Sequence, residues 1–280
     1  MENDFLGSSQ DSGNQFKYYF SRSNFPLVVH IPTNRYFFKH WEVKPAAPIA
    51  IVVIVIFGNL VFYYSVGRYI LSETIMISKI VLLLILSTLF LISYLNTVFF
   101  DPGFIPYNWY LTKKNSYSWE EQINNIAFTE DHFKIQANAF DKPPNCSFSK
   151  TYGRYIIRGD HICGFVANWI GKRNHKQFFL MQLYGFLLSL TFIIFYLIPS
   201  TKESLRYDYL QSIAMFLQFV FLLYTIGNGL TTYVDFLNGS TSIQQWKGIH
   251  VVKKPWKEQM REVFGNDSMI FWLLPTYPVF

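Results

Sequence analysis

Four long stretches that lack Asp, Glu, Lys and Arg are the feature that most constrains this chain of 280 residues. They cover residues 45–67, 80–100, 177–201 and 209–234. Each reaches the length of about 20 residues that an α-helix needs to cross a bilayer. In the first stretch, the Ile- and Val-rich run from Ile49 to Ile56 would suit a buried strand, but its length and isolation favour a membrane helix. The sequence therefore predicts an α-helical integral membrane protein with four transmembrane helices.

Positive charge gives these helices an orientation. Of the 24 Lys and Arg residues, 20 lie in the two terminal tails and between the second and third spans, and 4 lie in the other two loops. Because Lys- and Arg-rich loops stay in the cytosol, the tails 1–44 and 235–280 and the segment 101–176 are predicted to be cytosolic. The net charge of +6 is therefore read as a topology signal and not as a sign of nucleic-acid binding.

The segment 101–176 is the largest of these cytosolic parts. Its 76 residues are too many for an idle connection. The pair Pro143-Pro144 opens a stretch rich in aromatic residues and glycine, which ends just before the third span. We therefore expect a folded domain between the second and third helices.

The sequence Asp160-His161-Ile162-Cys163 carries the clearest chemistry in this segment. A thiol is a poor nucleophile until it is ionised, and an adjacent imidazole can take its proton. A carboxylate beside the imidazole can fix its tautomer and stabilise the imidazolium. So short a motif also occurs where the cysteine only packs and the histidine lies at the surface.

The residues that follow resemble the core of the DHHC protein S-acyltransferases. In that family, Asp-His-His-Cys is followed by an Asn-Cys-(Val/Ile)-Gly-x-x-Asn-x-x-x-Phe run that leads into the third membrane helix. The corresponding residues here are Asn168, Ile170, Gly171, Asn174 and Phe178. The resemblance implies a cytosolic DHHC-like domain over about residues 130–176.

Two more motifs of that family fall in the expected order around the spans. Asp101-Pro102-Gly103 follows the second span and matches the family's Asp-Pro-Gly motif. Thr231 and Thr232, at the cytosolic end of the fourth span, resemble the start of its Thr-Thr-x-Glu motif. Val234 stands at the place of the acidic residue, and Asp235 comes one residue late.

The metal sites of the family are where this sequence departs from it. The cytosolic domain of the family normally folds around two zinc ions held by six cysteines and two histidines. The residues at those eight places are Ile135, Asn138, Phe148, Ser149, Tyr152, Tyr155, Ile162 and Trp169. None offers the thiolate or imidazole that a structural zinc site needs. We therefore predict that the domain binds no zinc, and that apolar and aromatic packing replaces the metals.

The resemblance implies a protein-cysteine S-palmitoyltransferase that uses palmitoyl-CoA and no further cofactor. Cys163, deprotonated by His161 with Asp160 orienting the ring, would accept the acyl chain. It would then pass the chain to cysteines of cytosolic or membrane proteins near the bilayer. Lys172, Arg173 and Lys176 are candidates for contacts with the CoA phosphates, and each equally fits a role in positive-inside anchoring alone. The expected location is an endomembrane (Golgi or endoplasmic reticulum) or the plasma membrane.

The sequence leaves two other functions open. A catalytically inactive scaffold or adaptor with this fold would account for the missing zinc ligands and would not need Cys163. A small transporter or channel is the second alternative. The spans, however, contain no Asp, Glu, Lys or Arg, and an ion path usually needs an ionisable residue that faces the interior.

Overall fold

The computed structural model describes residues 16–17, 46–69, 73–103, 127–128, 145–149, 154–197, 209–249, 251 and 253–278. Four of its helices are long and apolar enough to cross a membrane, which confirms the predicted α-helical membrane protein. They are α1 (Ala46–Tyr69), α2 (Glu73–Phe99), α3 (His175–Leu197) and α4 (Tyr209–Asn238).

All four helices reach beyond the charge-free stretches, and two of them do so by four residues or more. Helix α2 begins at Glu73 rather than at residue 80, and α4 continues to Asn238 rather than ending at residue 234. The helix dipole favours a carboxylate in the first turn. Lys79 lies over Phe195, with Nζ 5.1 Å from the ring centre. Charged residues are thus accommodated at helix ends, which is why a search for uncharged residues underestimates helix length.

Helix α3 lies at the centre of the bundle. It packs along both α2 and α4, and α1 completes the bundle against the same two helices. Half of its span is buried, against 33% for α1, 22% for α4 and 17% for α2. Hydrogen bonds between helices supplement the apolar packing: Asn59 Nδ2 donates to Ser87 Oγ at 2.9 Å, and Ser189 Oγ donates to Gln218 Oε1 at 3.1 Å.

The described strands form three short antiparallel pairs. They are β1 (Phe16–Lys17) with β2 (Ala127–Phe128), β3 (Cys146–Ser149) with β4 (Arg154–Ile157), and β5 (His161–Cys163) with β6 (Asn168–Ile170). An isolated two-stranded hairpin is only marginally stable. The β5–β6 hairpin is supported by packing of β6 against the end of α2.

The chain after α4 returns to this same end of the bundle. It contains α5 (Ser242–Trp246), α6 (Trp256–Phe264) and α7 (Met269–Trp272). Lys176 Nζ, at the start of α3, donates to the Phe271 carbonyl at 2.8 Å. Asn96 Nδ2, near the end of α2, donates to the Pro275 carbonyl at 3.0 Å. The β5–β6 hairpin and the C-terminal segment therefore share one end of the bundle.

Candidate active site

Strand β5 brings the imidazole of His161 and the thiol of Cys163 together. Side chains alternate across a strand, so residues two apart project from the same face. Ile162 points to the other side and is 37% exposed, whereas Cys163 is 6% exposed. The thiol lies near enough to the imidazole to contribute to the raised pKa of His161. The strand therefore places the imidazole and the thiol on the same face, although one residue separates them in the sequence.

The carboxylate of Asp160 fixes the orientation of this imidazole. Its Oδ2 atom lies 2.7 Å from His161 Nδ1, so Nδ1 carries a proton and Nε2 is left for the thiol. Burial alone would raise the pKa of Asp160. The hydrogen bond with His161, the charges of His175 and His161, and the Ser242 backbone N–H together lower that pKa to about 2. Asp160 is therefore ionised at neutral pH.

The pKa of His161 is shifted in the opposite direction. Burial alone would lower it, but hydrogen bonds with Asp160 and Cys163, and the negative charges of both, raise the pKa to about 9. A raised pKa means that the imidazole binds a proton more tightly than a free histidine does. His161 is therefore suited to take the proton of an adjacent thiol.

The C-terminal segment holds Asp160 from its other side. The backbone N–H of Ser242, the first residue of α5, donates to Asp160 Oδ1 at 2.6 Å. The Ser242 hydroxyl donates to Asp235 Oδ2 at 2.7 Å and lies 3.4 Å from Asp160 Oδ2. Gln245 Nε2 donates to Asp235 Oδ1 at 2.6 Å. A polar network therefore connects the end of the fourth span to the imidazole.

A capping box at Thr241 and Gln244 keeps Ser242 in this position. The Thr241 hydroxyl accepts a hydrogen bond from the Gln244 backbone N–H at 3.3 Å, and Gln244 Oε1 accepts one from the Thr241 backbone N–H at 2.9 Å. These reciprocal bonds satisfy two backbone donors at the start of α5. Ser242 is held between the two partners, with its N–H directed at Asp160.

The predicted Thr-Thr motif is therefore better placed at residues 241–244 than at Thr231 and Thr232. Thr231 is exposed, and Thr232 donates to the Asn228 carbonyl one turn back on its own helix. Thr241-Ser242-Ile243-Gln244 has the spacing of Thr-Thr-x-Glu with two conservative replacements. The sequence signal that could have found it is the Ser/Thr-x-x-Glu/Gln pattern of a helix N-terminus.

Asn168 fastens the hairpin to the end of α2. Its Nδ2 atom lies 3.0–3.1 Å from the carbonyl oxygens of Thr97, Val98 and Phe100. The last carbonyls of a helix have no partner within the helix itself, so this amide satisfies groups that would otherwise be unpaired. Asn168 faces Cys163 across the hairpin. Its anchoring to α2 therefore sets the position of Cys163.

Asn174 closes the turn that joins the hairpin to α3. Its Oδ1 atom accepts a hydrogen bond from the Gly171 backbone N–H at 2.9 Å, and its Nδ2 atom donates to the Trp169 carbonyl at 2.8 Å. Asn174 is fully buried. Both predicted asparagines thus act on backbone geometry around the site.

The Asp101-Pro102-Gly103 sequence joins α2 to the same turn. Asp101 Oδ1 accepts a hydrogen bond from the Gly103 backbone N–H at 2.9 Å, and Asp101 Oδ2 lies 3.4 Å from Arg173 Nη1. Gly103 has a φ of 103°, which favours glycine, and its carbonyl accepts from the Ile157 backbone N–H at 2.9 Å. This motif therefore connects the second span to β4 and to the start of α3.

Gly171 allows a direct test of this junction. A Cβ atom at Gly171 would lie 2.3 Å from the Pro102 carbonyl oxygen and 2.8 Å from Ile156 Cγ2. Backbone atoms cannot move aside as a flexible side chain can, so we expect Gly171→Ala to lower the free energy of unfolding by roughly 1–3 kcal/mol. Thermal unfolding in detergent, followed by intrinsic fluorescence, measures the shift.

The matched control for this substitution is Gly227→Ala on α4. An added Cβ there meets nothing within 4 Å among the described residues. Its melting temperature should stay at the wild-type value or rise slightly, because alanine favours a helix. A Gly171→Ala protein as stable as the wild type contradicts the close contact between the turn and Pro102.

The described residues at the family's zinc positions do not fit a zinc ion. Ile162 and Trp169 face each other across the hairpin, where no donor atom of the required kind is present. No group of three or more His, Cys, Asp or Glu side chains in the described ranges could hold a metal. Ile135, Asn138 and Tyr152, and the side chains of Phe148, Ser149 and Tyr155, lie outside the described residues. The absence of zinc stays a prediction.

The basic residues expected at the CoA phosphates are placed differently from one another. Lys176 is fully buried, and its Nζ donates to Phe271 and Thr276, which removes it as a phosphate contact. Arg173 is paired with Asp101, and Lys172 is half-buried. Arg158, which the sequence analysis did not select, comes just before the Gly159-Asp160 step.

Arg158 lines a polar pocket beside the catalytic strand. The pocket has a volume of about 120 Å³, and Ser147, Thr241 and Lys247 are among its other lining residues. Arg158 Nη1 is buried and has no hydrogen-bond partner within the described part of the chain. Burial lowers the pKa of Arg158, although the guanidinium remains charged at neutral pH. This geometry makes Arg158 a better candidate than Lys176 for a phosphate group.

An apolar groove of about 390 Å³ runs between α3 and α4. Its lining residues are Phe179, Gln182, Leu183, Phe186, Thr225, Ile226, Gly229, Leu230 and Tyr233. The volume falls within the usual range for small-molecule sites. Gln182 neighbours Tyr224, whose hydroxyl is in turn close to Cys163. The groove is thus connected to the surroundings of Cys163 through Gln182 and Tyr224.

Comparison with known proteins gives the same family as the motifs. Residues 128–249 match the model of the family described as DHHC palmitoyltransferase. The chain is 28% identical over 212 residues to "Probable protein S-acyltransferase 14" of Arabidopsis thaliana, which covers 66% of this chain and 67% of the relative. It is 28% identical over 163 residues to "Palmitoyltransferase ZDHHC22" of Rattus norvegicus, and this alignment covers 49% of this chain and 62% of the relative.

Proposed function

Because the chain belongs to the DHHC palmitoyltransferase family, we propose that it transfers a long acyl chain from palmitoyl-CoA, through an acyl-Cys163 intermediate, to cysteines of proteins at the membrane surface. The observation that carries the proposal is the ordered set of Asp160, His161 and Cys163. The carboxylate lies 2.7 Å from Nδ1 of the imidazole, and the thiol is close to the same ring. A scaffold would have no need of this alignment.

The first half-reaction forms the acyl-enzyme. The Cys163 sulfur attacks the thioester carbon as its proton passes to His161 Nε2, and Asp160 stabilises the imidazolium. The carbon–sulfur bond to CoA then breaks, and His161 returns the proton to the CoA sulfur. In the second half-reaction, the thiol of a substrate protein attacks acyl-Cys163 with His161 as the base, and the Cys163 thiol is restored.

Two features near the site are candidate positions for the two ends of palmitoyl-CoA. The groove between α3 and α4 suits the acyl chain, since each buried CH₂ group contributes about 0.8 kcal/mol. The guanidinium of Arg158 suits a phosphate of CoA, because arginine forms two parallel hydrogen bonds with such groups.

The site also supports the orientation that positive charge predicts. The hairpin and the C-terminal segment meet at one end of the bundle through Asp160 and Ser242. Loops rich in Lys and Arg mark that end as the cytosolic one. We propose that both termini face the cytosol. The protein would reside in an endomembrane or the plasma membrane, and its protein substrates would carry cytosolic cysteines.

Release of CoA distinguishes the enzyme from a scaffold. The purified protein in detergent is mixed with palmitoyl-CoA, and free CoA is measured over time. We expect a rapid release approaching about one CoA per protein, followed by slower release as water hydrolyses the acyl-enzyme. A folded protein that releases no CoA above the detergent blank contradicts the proposal and favours the scaffold.

A further inference from the structure

Tyr224, on the membrane-spanning helix α4, carries a hydroxyl group that lies near Cys163. This hydroxyl has no role in the mechanism described so far. Its ring stacks on that of Phe165, two residues after Cys163, with ring centres 4.1 Å apart and planes inclined by 24°. Phe165 is held in turn by Tyr94, whose hydroxyl donates to the Phe165 carbonyl at 2.8 Å. These contacts fix Tyr224 against the turn after β5. Its hydroxyl lies near Cys163.

A second polar group, the amide of Gln182 on α3, lies behind this hydroxyl. Gln182 is 4% exposed and lies near Tyr224. Neither of its amide atoms makes a hydrogen bond of full geometry within the described ranges. Leaving a buried amide without such bonds costs about 1–3 kcal/mol. A buried amide without partners in the described part of the chain, beside Tyr224 and in the lining of an apolar groove, indicates a place for a polar atom of the substrate.

We propose that the Tyr224 hydroxyl donates a hydrogen bond to the thioester oxygen during attack by Cys163, and that Gln182 positions this hydroxyl. As the bond between the Cys163 sulfur and the carbonyl carbon forms, one electron pair of the carbonyl moves onto its oxygen. Tyr224 stabilises that oxyanion. The pair returns when the bond to the CoA sulfur breaks, and His161 supplies the proton that CoA takes with it.

The apolar surroundings make this hydrogen bond effective. Phe165 and Phe221 stack against the hydroxyl-bearing ring, and all three side chains belong to or pack against the apolar core. A donor aimed at developing charge in such a setting accelerates acyl transfer more than it strengthens substrate binding. The inference rests on the proposed function, because it assigns the oxyanion site of that same reaction.

The test compares Tyr224→Phe with the wild type. Phenylalanine keeps the ring that stacks on Phe165 and removes only the hydroxyl. We expect the single-turnover rate of acyl-enzyme formation from palmitoyl-CoA to fall roughly 100-fold, as when one oxyanion donor is removed. Tyr63→Phe is the matched control, since Tyr63 on α1 is 65% exposed at the outer face of the bundle. Its rate should equal that of the wild type.

Gln182→Leu tests the positioning role. We expect a loss of about 10-fold in the wild-type background and almost none in a Tyr224→Phe background, because Gln182 acts through the hydroxyl. Losses that multiply in the double variant overturn the positioning role of Gln182.

Alkylation separates an oxyanion donor from a general effect on the thiol. Iodoacetamide reacts with Cys163 without forming an oxyanion, and Cys146→Ser removes the only other cysteine. Slow acylation with an alkylation rate within about twofold of the wild type is the expected result for Tyr224→Phe. Equal slowing of both reactions, or unchanged acylation, overturns the assignment. A wild-type protein that is alkylated but never acylated overturns the proposed function itself, and the assignment with it.

Discussion

Cys163→Ser is expected to abolish the thioester intermediate and to reduce acyl transfer by roughly 10³-fold or more. Serine keeps nearly the size and shape of the buried side chain on β5. Its hydroxyl, however, has a pKa far above that of a thiol, and His161 cannot ionise it to a useful extent. The measurement is incubation with an alkyne-tagged palmitoyl-CoA, followed by neutral hydroxylamine, which releases thioesters. The label seen on the wild type should be missing.

Cys146→Ser is the matched control for this substitution. Cys146 on β3 is 5% exposed and Cys163 is 6% exposed, so both changes place a hydroxyl in a buried position. We expect the Cys146→Ser protein to keep the hydroxylamine-labile label. If the label survives in Cys163→Ser and disappears in Cys146→Ser, then Cys146 is the acylated residue and the assignment of the nucleophile is wrong.

Asp160→Asn is expected to lower the rate of acyl-enzyme formation by about 10³–10⁴-fold while leaving Cys163 in place. The neutral amide cannot stabilise the imidazolium, and it favours the wrong tautomer of His161, which explains comparable losses in other acyl transferases. In the wild type, the Ser242 N–H donates to Asp160 Oδ1 at 2.6 Å. The asparagine amide is a poorer acceptor for this N–H. Single-turnover kinetics with palmitoyl-CoA measures the loss.

Asp160→Asn also leaves the buried Ser242 N–H without a good acceptor, which costs about 1–3 kcal/mol. The free energy of unfolding is therefore measured on the same Asp160→Asn samples. Asp267→Asn makes the same chemical change away from the catalytic strand, and its rate should remain at the wild-type value. An Asp160→Asn protein that folds and acylates at nearly the wild-type rate contradicts the role of the carboxylate.

Much of the fold could be predicted because its signals are local in the chain. A membrane span is a property of about 20 consecutive residues, so the absence of charge was enough to identify four helices. The pairing of His161 with Cys163 was also accessible, since it depends only on the alternation of a strand. The exact helix ends could not be predicted, because charged residues such as Glu73 and Lys79 are tolerated in the first turns of α2.

The rest of the site depends on contacts between distant parts of the chain. Ser242 bonds to Asp160 across 82 residues, and α4 brings Tyr224 near Cys163 on β5. Neither contact follows from spacing. Asp235 seemed one residue out of place in the sequence, yet it bonds to Ser242 because α4 continues to Asn238. The fold thus supplies a carboxylate to the network from a position that a motif comparison would reject.

Lys176 shows the opposite error. Its position just before the third charge-free stretch indicated a phosphate contact at the membrane surface, but the C-terminal segment covers it and accepts its hydrogen bonds. A lysine near a span is ambiguous until the elements that pack over it are known. Arg158 was missed because nothing in its local sequence shows that it lines a pocket with Thr241.

The central claim is that the Asp160-His161-Cys163 set forms an acyl-enzyme in a domain that holds no zinc. Its most direct test treats the purified wild-type protein with a strong chelator, measures the remaining zinc by elemental analysis, and then adds alkyne-tagged palmitoyl-CoA. Proteolysis and mass spectrometry locate the hydroxylamine-labile label. We predict an unchanged melting temperature, less than about 0.1 zinc per protein, and the label on Cys163. Loss of both zinc and label on chelation, or a folded protein that never acquires the label, contradicts the account.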